Sequence, residues 1–471
     1  SVVHNNFISD TASEGIWIVH TTNNIIISNN SISTIGSYNK GIIIYGVNNT
    51  LIHNIITTSG SAYGVMIYGS DNILMYNHIN TLGRYAGGIL MFDKSTIINN
   101  DINSAEAYNI FLPDPEYYSL NNIPLPDFAG YDVQSNFGNG KPIIFLKNLR
   151  NQIIDLSGQD IASLIIVNST NSIIRNAYIS EDGLLLYLLN TSIIENSIID
   201  ISKPDVTALL AFADLSDIKN NFIKTNKTTG ISIIGQKNFV YLNNITSISG
   251  SGILLGYPYG SSSSITKLNI LDSNLIFTSS ADAGISLNGV YNNSLISNSI
   301  YTFGSLTDGI RADSSVQNNI FNNNITTFGG NSNGITLVDS CCSTINSNII
   351  TIRNITSNSS FGISIYDFPC CPSYYNKIYN NLINTTLSNY VSAGSLNFWN
   401  TTLQFATNIM NGSLIGGNFY ARANGSGFSQ ICPDNNSNGI CDIPLIHNSG
   451  NVDYLPLARP MPVNISPIPV I

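Results

Sequence analysis

The stretch from Asn23 to Tyr45 reads NNIIISNNSISTIGSYNKGIIIY, an Asn-x-Ile step followed by a Gly-Ile-x-Ile step, and this pair recurs almost to the C-terminus. The Asn-x-Ile step returns at Asn6, Asn30, Asn54, Asn77 and Asn100, then at Asn196, Asn221, Asn243, Asn274, Asn298, Asn323, Asn348 and Asn381, mostly 22 to 25 residues apart. A Gly-led step interleaves with it through Gly15, Gly41, Gly64, Gly88, Gly183, Gly230, Gly252, Gly284, Gly309, Gly334 and Gly362. A fixed period of this size implies a solenoid, in which each repeat buries its apolar face only against its neighbours.

The residues inside the period select the kind of solenoid. Ile42-Ile43-Ile44, Val65-Met66-Ile67 and Ile89-Leu90-Met91 are short apolar runs bounded by Gly, Asn and Ser, which suits strands and not helical arrays. Leucine-rich repeats need a fixed Leu framework, and propeller blades need roughly 40 to 45 residues per unit. The expected fold is therefore all-β, a right-handed parallel β-helix of roughly 16 coils, which at ~4.8 Å per coil spans on the order of 75 Å. Stacked Asn side chains passing amide hydrogen bonds from coil to coil explain the recurrent Asn, with left-handed backbone expected at the corners. That makes the repeat Asn residues structural.

Composition narrows the function. Only 10% of the 471 residues are charged, so Asn, Ser, Thr and Tyr must keep the surface wet. A net charge of -10, from 18 basic and 28 acidic residues, argues against a nucleic-acid partner, which would call for clustered Lys and Arg. No run approaches the roughly 20 apolar residues of a membrane span.

In chain order, residues 1–112 form a first β-helical stretch that starts inside a coil, since Asn6-Phe7-Ile8 already lies on the repeat. A preceding piece or some other cover is expected there. Residues 113–142, opened by Pro113-Asp114-Pro115-Glu116, interrupt the repeat with a Pro- and Gly-rich excursion. The repeat resumes over 143–410, followed by a capping block over 411–457 and a Pro-rich tail or linker over 458–471.

The Gly140-Lys141-Pro142-Ile143-Ile144-Phe145-Leu146 strand, the apolar run ending in Val167-Asn168 and the Asn-x-Ile coils on both sides resemble the NosD-like family of right-handed parallel β-helix proteins. That family is abundant among archaeal cell-surface and surface-layer-like proteins. The block from Gly416-Gly417-Asn418-Phe419-Tyr420 to Asp453-Tyr454-Leu455-Pro456-Leu457 resembles the terminal segment of its surface members, with Tyr420 where a Trp is frequent. The resemblance implies a secreted surface protein.

Inside this block, Asp434, Asn436, Asn438, the Ile440 carbonyl and Asp442 offer the alternating oxygens and tight Gly439 turn that a Ca²⁺ ion asks of a short loop. The bidentate Glu that completes an EF-hand falls at Leu445, so the site is half built unless Asp453 or a neighbouring loop contributes. The competing reading is an Asn-rich turn held by its own hydrogen bonds.

Six cysteines form three pairs. Cys432 and Cys441 bracket that loop and are expected to staple it in an oxidising compartment. Cys341-Cys342 and Cys370-Cys371 stand 29 residues apart, close to one coil, which predicts inter-coil disulfides; a four-thiolate metal site is the alternative. Sequons at Asn48, Asn168, Asn190, Asn226, Asn244, Asn292, Asn354, Asn384, Asn400, Asn411, Asn424 and Asn464 are candidate glycosylation sites where they face outward. Asn324 also heads a sequon and is excluded if it points inward.

Catalytic chemistry finds less support. Asp313, Asp339 and Asp367 follow the Gly of their coils by four or five residues and either line up as a carboxylate column or occupy turns. Arg311 near Asp308 and Asp313 is the one cluster with the makings of a lyase site. The five His do not share a column, His53 aligning with Tyr76. The functional expectation is a non-enzymatic extracellular structural protein that self-associates head-to-tail or laterally in a filament or surface layer and bears glycans; Ca²⁺ at the 434–442 loop is the one candidate cofactor, with the hydrogen-bonded turn the favoured reading of that loop. The alternatives are a carbohydrate-binding or polysaccharide-cleaving β-helix, and a periplasmic copper-maturation factor, which five scattered Met residues do not favour.

Overall fold

The structure, a computed structural model, describes the chain except residues 12, 21, 114, 116–127, 258–265, 280–281, 354–358, 368–372, 387–389 and 460–471. It is a right-handed parallel β-helix with almost no helix. Two compact units divide it, Ser1–Leu254 and Leu255–Ile471.

The first unit opens with three parallel sheets, one strand from each per coil. Val2–His4, Ile26–Ser28, Thr50–Ile52, Asn72–Met75, Ser95–Ile98 and Asp132–Gln134 build one; Phe7–Thr11, Ser31–Thr34, Ile55–Thr58, His78–Thr81, Asp101–Ser104 and Asn136–Gly138 the next. The third holds Ile16–Ile18, Ile42–Ile44, Val65–Ile67, Ile89–Met91 and Ile110–Phe111. Registers are strict, so like stacks on like: Ile27, Leu51, Leu74 and Ile97 form one column, and Ile32, Ile56, Ile79 and Ile102 another, all buried. Burying such a side chain contributes roughly 1.5–3 kcal/mol, which makes these columns the main stabilising element.

The interruption is shorter than its sequence suggests. The coil is already back in register at Asp132–Gln134, paired with Ser95–Ile98. Asn136 accepts the Asn100 amide hydrogen bonds at 2.9 and 3.0 Å, so the ladder bridges a 36-residue gap. A hairpin then turns through Asn139 and Gly140, both left-handed at φ 49 and 77, into Lys141–Lys147. This strand starts the remaining coils of the unit through Asp160–Thr170 and Tyr178–Asn190.

The ladder works differently from the corner role expected of it. Asn30 donates its backbone and side-chain N–H to Asn54 Oδ1, each at 3.0 Å, while its own Nδ2 also reaches Ser28 O. The left-handed residue is the one before: Asn29, His53, Tyr76 and Asn99, at φ 53 to 56. Because the buried Asn satisfies the corner's polar groups, its predecessor faces out and accepts even Tyr or Leu242 (φ 55) at a modest steric penalty. Ser replaces Asn where the coils shorten. Ser197, and not the Asn196 of the repeat count, holds the ladder position between Ala177 and Asn221.

The second unit repeats this plan. Asn274, Asn298, Asn323, Asn348, Asn381 and Asn418 pass paired hydrogen bonds of 2.9 to 3.1 Å along one corner. A second corner carries Asn269, Asn293, Asn318, Ser343, Asn376 and Asn397, which the repeat count did not show. The Gly-led step has a steric origin. A Cβ on Gly309 would lie 2.5 Å from Gly334 O and 2.2 Å from Ile325 Cγ2, so each glycine lets its coil seat on the next.

Candidate functional site

Both ladders of the second unit end in the closing block, and their ends are built from its most perturbed side chains. Asn418 donates its backbone N–H to Asp453 Oδ2 at 2.8 Å, so a carboxylate takes the place of the next Asn. Leu455 N and Tyr420 Oη also donate to Asp453, at 3.1 and 3.0 Å, and Tyr420 Oη meets His447 Nε2 at 3.1 Å. Asn451 Oδ1 ends the second ladder, accepting from Asn397 N and from Trp399 Nε1, each at 3.0 Å. Trp399 and Tyr420 are fully buried, and His447 packs 4.6 Å from the Trp399 ring. Burial pushes the Asp453 carboxyl up to about 7, its hydrogen bonds opposing, and pulls His447 down to about 4. Both Asp453 oxygens are thus engaged at the end of the ladder, and the Asp453 contribution that would have completed the half-built Ca²⁺ loop is not seen.

The acidic loop is an ordered turn. Asp434 Oδ1 and Oδ2 accept from Asn438 N and Gly439 N at 3.0 and 2.9 Å, Asn436 Oδ1 from Asn438 N at 3.1 Å, and Asn438 Oδ1 from Ile440 N at 2.8 Å. Asp442 Oδ2 accepts from Asn435 N at 2.8 Å. Gly439 is left-handed at φ 83, as the tight turn requires. Cys432 and Cys441 are disulfide-bonded, with Cα atoms 5.6 Å apart, and Ile440 bridges to Leu457, which fixes the loop against the core of the block.

The other cysteines depart from the expected pairing. Ladder register sets Ser340 beneath Ser373 and Ser343 beneath Asn376, a local period of 33 residues and not 29. Tyr374 and Tyr375 therefore stack on Cys341 and Cys342, which carry free thiols. Cys370 and Cys371 lie outside the described residues.

Of the candidate carboxylate column, Asp313 is out of register with Asp339 and Asp367, which each follow the Val338–Tyr366 pair by one residue. Asp313 pairs with Val338 and then Tyr366, whereas Asp339 is the left-handed residue that follows its strand. Asp367 accepts from Ser373 N and from Ser395 N and Oγ, closing turns. Arg311 does join its acidic neighbours: it grips Asp313 with two hydrogen bonds of 2.8 and 3.0 Å and lies 3.7 Å from Asp308, whose buried carboxyl is raised by desolvation.

One charged pair carried no sequence signal. Lys203 and Asp182, about 20 residues apart in chain, meet at 2.5 Å in the buried interior of the first unit, where Asp182 Oδ2 also accepts from Asn109 N. Burial raises the Asp182 carboxyl against the pull of the ammonium. Tyr108 Oη on Thr207 N and Tyr187 Oη on Leu112 O, at 2.9 and 2.7 Å, bind the coil before the interruption to the coils after it.

Of the sequons, Asn48, Asn190, Asn292, Asn411 and Asn424 are exposed, as is Asn324, which points outward. Asn168, Asn226, Asn244, Asn384 and Asn400 are half-buried; Asn168 Nδ2 donates to Asn148 and Asn400 Nδ2 to Thr401 O. Asn354 and Asn464 lie outside the described residues.

Residues 255–425 match the family model of the periplasmic copper-binding protein NosD, and residues 1–121 match that of the right-handed β-helix region. No curated protein matches the chain. Among solved structures it is similar to the periplasmic alginate epimerase AlgG (12% identity, 79% of this chain and 77% of that one, TM-score 0.34). It is also similar to the A-module of the Azotobacter vinelandii mannuronan C-5 epimerase AlgE4 (12%, 83% and 87%, 0.36) and to the Dettilon tailspike protein (12%, 72% and 63%, 0.32). The histidines do not fit a copper centre: His4 bonds Ser28, His20 and His53 stack on Tyr45 and Tyr76, His78 pairs with Asp101, and His447 is enclosed by Tyr420 and Trp399. Among the described residues no three His, Cys, Asp or Glu gather as a metal site, and no helix is long and apolar enough to cross a membrane. By its stacked coils, its Asn ladders and these matches, the chain is a right-handed parallel β-helix protein whose residues 255–425 are similar to NosD.

Proposed function

We propose that this is a non-enzymatic extracellular structural protein that associates laterally with copies of itself, as a filament or surface-layer subunit would. The observation that carries this reading is an apolar face on the last coils of the second unit. Leu396 and Phe398 lie on Tyr375 of the preceding coil, each about half exposed, and Tyr375 and Phe398 stack at 6.0 Å. Phe405 is 93% exposed on the adjoining hairpin, and Tyr454 is held beside Asn400. Large apolar side chains left exposed on a protein of low charge support an association face. The use of Asp367, Asp434, Asp442 and Asp453 as acceptors for backbone N–H groups supports a structural over a catalytic reading. The disulfide supports an oxidising, extracellular setting, and glycans on the exposed sequons would keep the remaining surface soluble.

Analytical ultracentrifugation of the full chain tests this, with electron microscopy of the assemblies. Concentration-dependent association that Phe398→Glu and Phe405→Glu abolish supports the reading, and a monomer at every concentration overturns it. In the same reading the 434–442 loop takes Ca²⁺ through Asp434, Asn436, Asn438, the Ile440 carbonyl and Asp442. Calorimetric titration with Ca²⁺ should show binding that Asp434→Ala removes.

A carbohydrate reading has one observation in its favour: Asp308, Arg311 and Asp313 do meet, with Arg311 half exposed. Binding or cleavage of polysaccharides lost on Arg311→Ala would move the assignment there.

A further inference from the structure

Cys341 and Cys342 stand at a corner of the second unit with their sulfur atoms 3.2 Å apart. Cys342 is exposed and left-handed at φ 61, and Cys341 is half-buried. Gln317 N donates to Cys341 O on one side and Cys342 N to Tyr374 O on the other, so both backbones are held by neighbouring coils. The same unit already contains the Cys432–Cys441 disulfide, which means the chain folds where thiols are oxidised.

We propose that Cys341 and Cys342 are a redox-active vicinal dithiol, closing to a disulfide between adjacent residues and reopening under mild reductant. In closure the exposed Cys342 thiolate attacks a disulfide-bearing oxidant, and Cys341 displaces it from the mixed disulfide. One S–S bond forms as the oxidant's S–S bond breaks, and the two thiol protons pass to the oxidant's sulfurs, which leave as thiols carrying the two electrons. The half-buried Cys341 thiol, pushed up to about 11 chiefly by desolvation, is the poorer first nucleophile and suits the second step.

A bridge between neighbours is poorly suited to a structural purpose. It closes almost no loop, so it removes little entropy from the unfolded chain. Adjacent Cα atoms also lie about 3.8 Å apart, below the roughly 4.4–6.8 Å of ordinary disulfides, so the ring is strained and easily reduced. What remains is a reversible two-electron site on the surface beneath Tyr375.

The test is graded reduction of the full chain with dithiothreitol, acid trapping, alkylation, digestion and mass spectrometry. The expected result is an unalkylated Cys341–Cys342 peptide two hydrogens lighter than the dithiol, opening at about tenfold lower reductant than Cys432–Cys441. Cys341→Ser should abolish the lighter peptide and leave the unfolding temperature unchanged. Full alkylation of both thiols in oxidised glutathione, a link to the peptide holding Cys370 and Cys371, or a link to a second chain would overturn the proposal. So would marked destabilisation by Cys341→Ser, since the pair would then be structural.

Discussion

At the scale of single residues, the ladder Asn is the unit of specificity. Asn323 Oδ1 accepts two N–H bonds from Asn298, and its Nδ2 reaches Asn348, Leu295 O and Phe321 O. Asn323→Ala orphans buried donors on one side and acceptors on the other, so a loss of about 3 kcal/mol or more is expected in chemical denaturation. The sequence revealed this position through its period alone. What it hid was the division of labour, because Asn29 and Asn30 are the same letter while one turns the corner and the other bonds inside it. The Lys203–Asp182 pair was invisible for a related reason, since neither residue sits in a motif. Lys203→Met leaves the Asp182 charge buried without its partner, and about 3–5 kcal/mol of destabilisation should follow. Restored stability in the double variant with Asp182→Leu would confirm that the pair, and not the volume, decides the effect.

At the scale of elements, the Gly-led strand and the closing block make separate predictions. Gly309→Ala pushes a methyl group into Gly334 O and Ile325, and about 1–3 kcal/mol of strain should appear as a lowered melting temperature. In the closing block, Asp453 and His447 shift in opposite directions. The fold binds the Asp453 proton more tightly than the unfolded chain, so its contribution is complete below about pH 3.8 and is lost as pH rises through about 7. His447 contributes above about pH 6.5, and that contribution is lost as pH falls through about 4. Between these limits the slopes oppose one another. Relative to wild type, the melting temperature of His447→Gln should fall as pH rises from about 4.5 to 6, and that of Asp453→Asn should rise; parallel curves for all three proteins would refute the assignment. The sequence marked this block through its cysteines and its Asp-Tyr-x-Pro-Leu close, but gave no sign that Asp453 ends the ladder. Only the fold brings residue 453 next to residue 418.

At the scale of the whole molecule, function depends on surfaces that no period describes. The face formed by Tyr375, Leu396 and Phe398, with Phe405 exposed on a separate hairpin, comes from residues that fall outside both repeat series, and its apolar character is visible only once Tyr375 and Phe398 stack. If it is the association face, a single Phe398→Glu change should weaken self-association at least tenfold in sedimentation while leaving the melting temperature within a degree or so of wild type. A matching loss of fold would instead assign Phe398 to the core of its coil.

Periodicity in the sequence by itself determined the coil, the inward Ile columns and the ladder, because in a parallel β-helix each residue's environment is set by its counterparts one period away. It also indicated the Cys432–Cys441 staple, whose partners are near in chain. Tertiary structure alone decided where the period slips, to 36 residues before Asn136 and to 33 beneath Tyr374 and Tyr375. An insertion leaves the strand pattern unchanged and alters which residues stack. That is the physical reason the cysteine pairs, the aspartate column and the end of the ladder could not be placed from sequence.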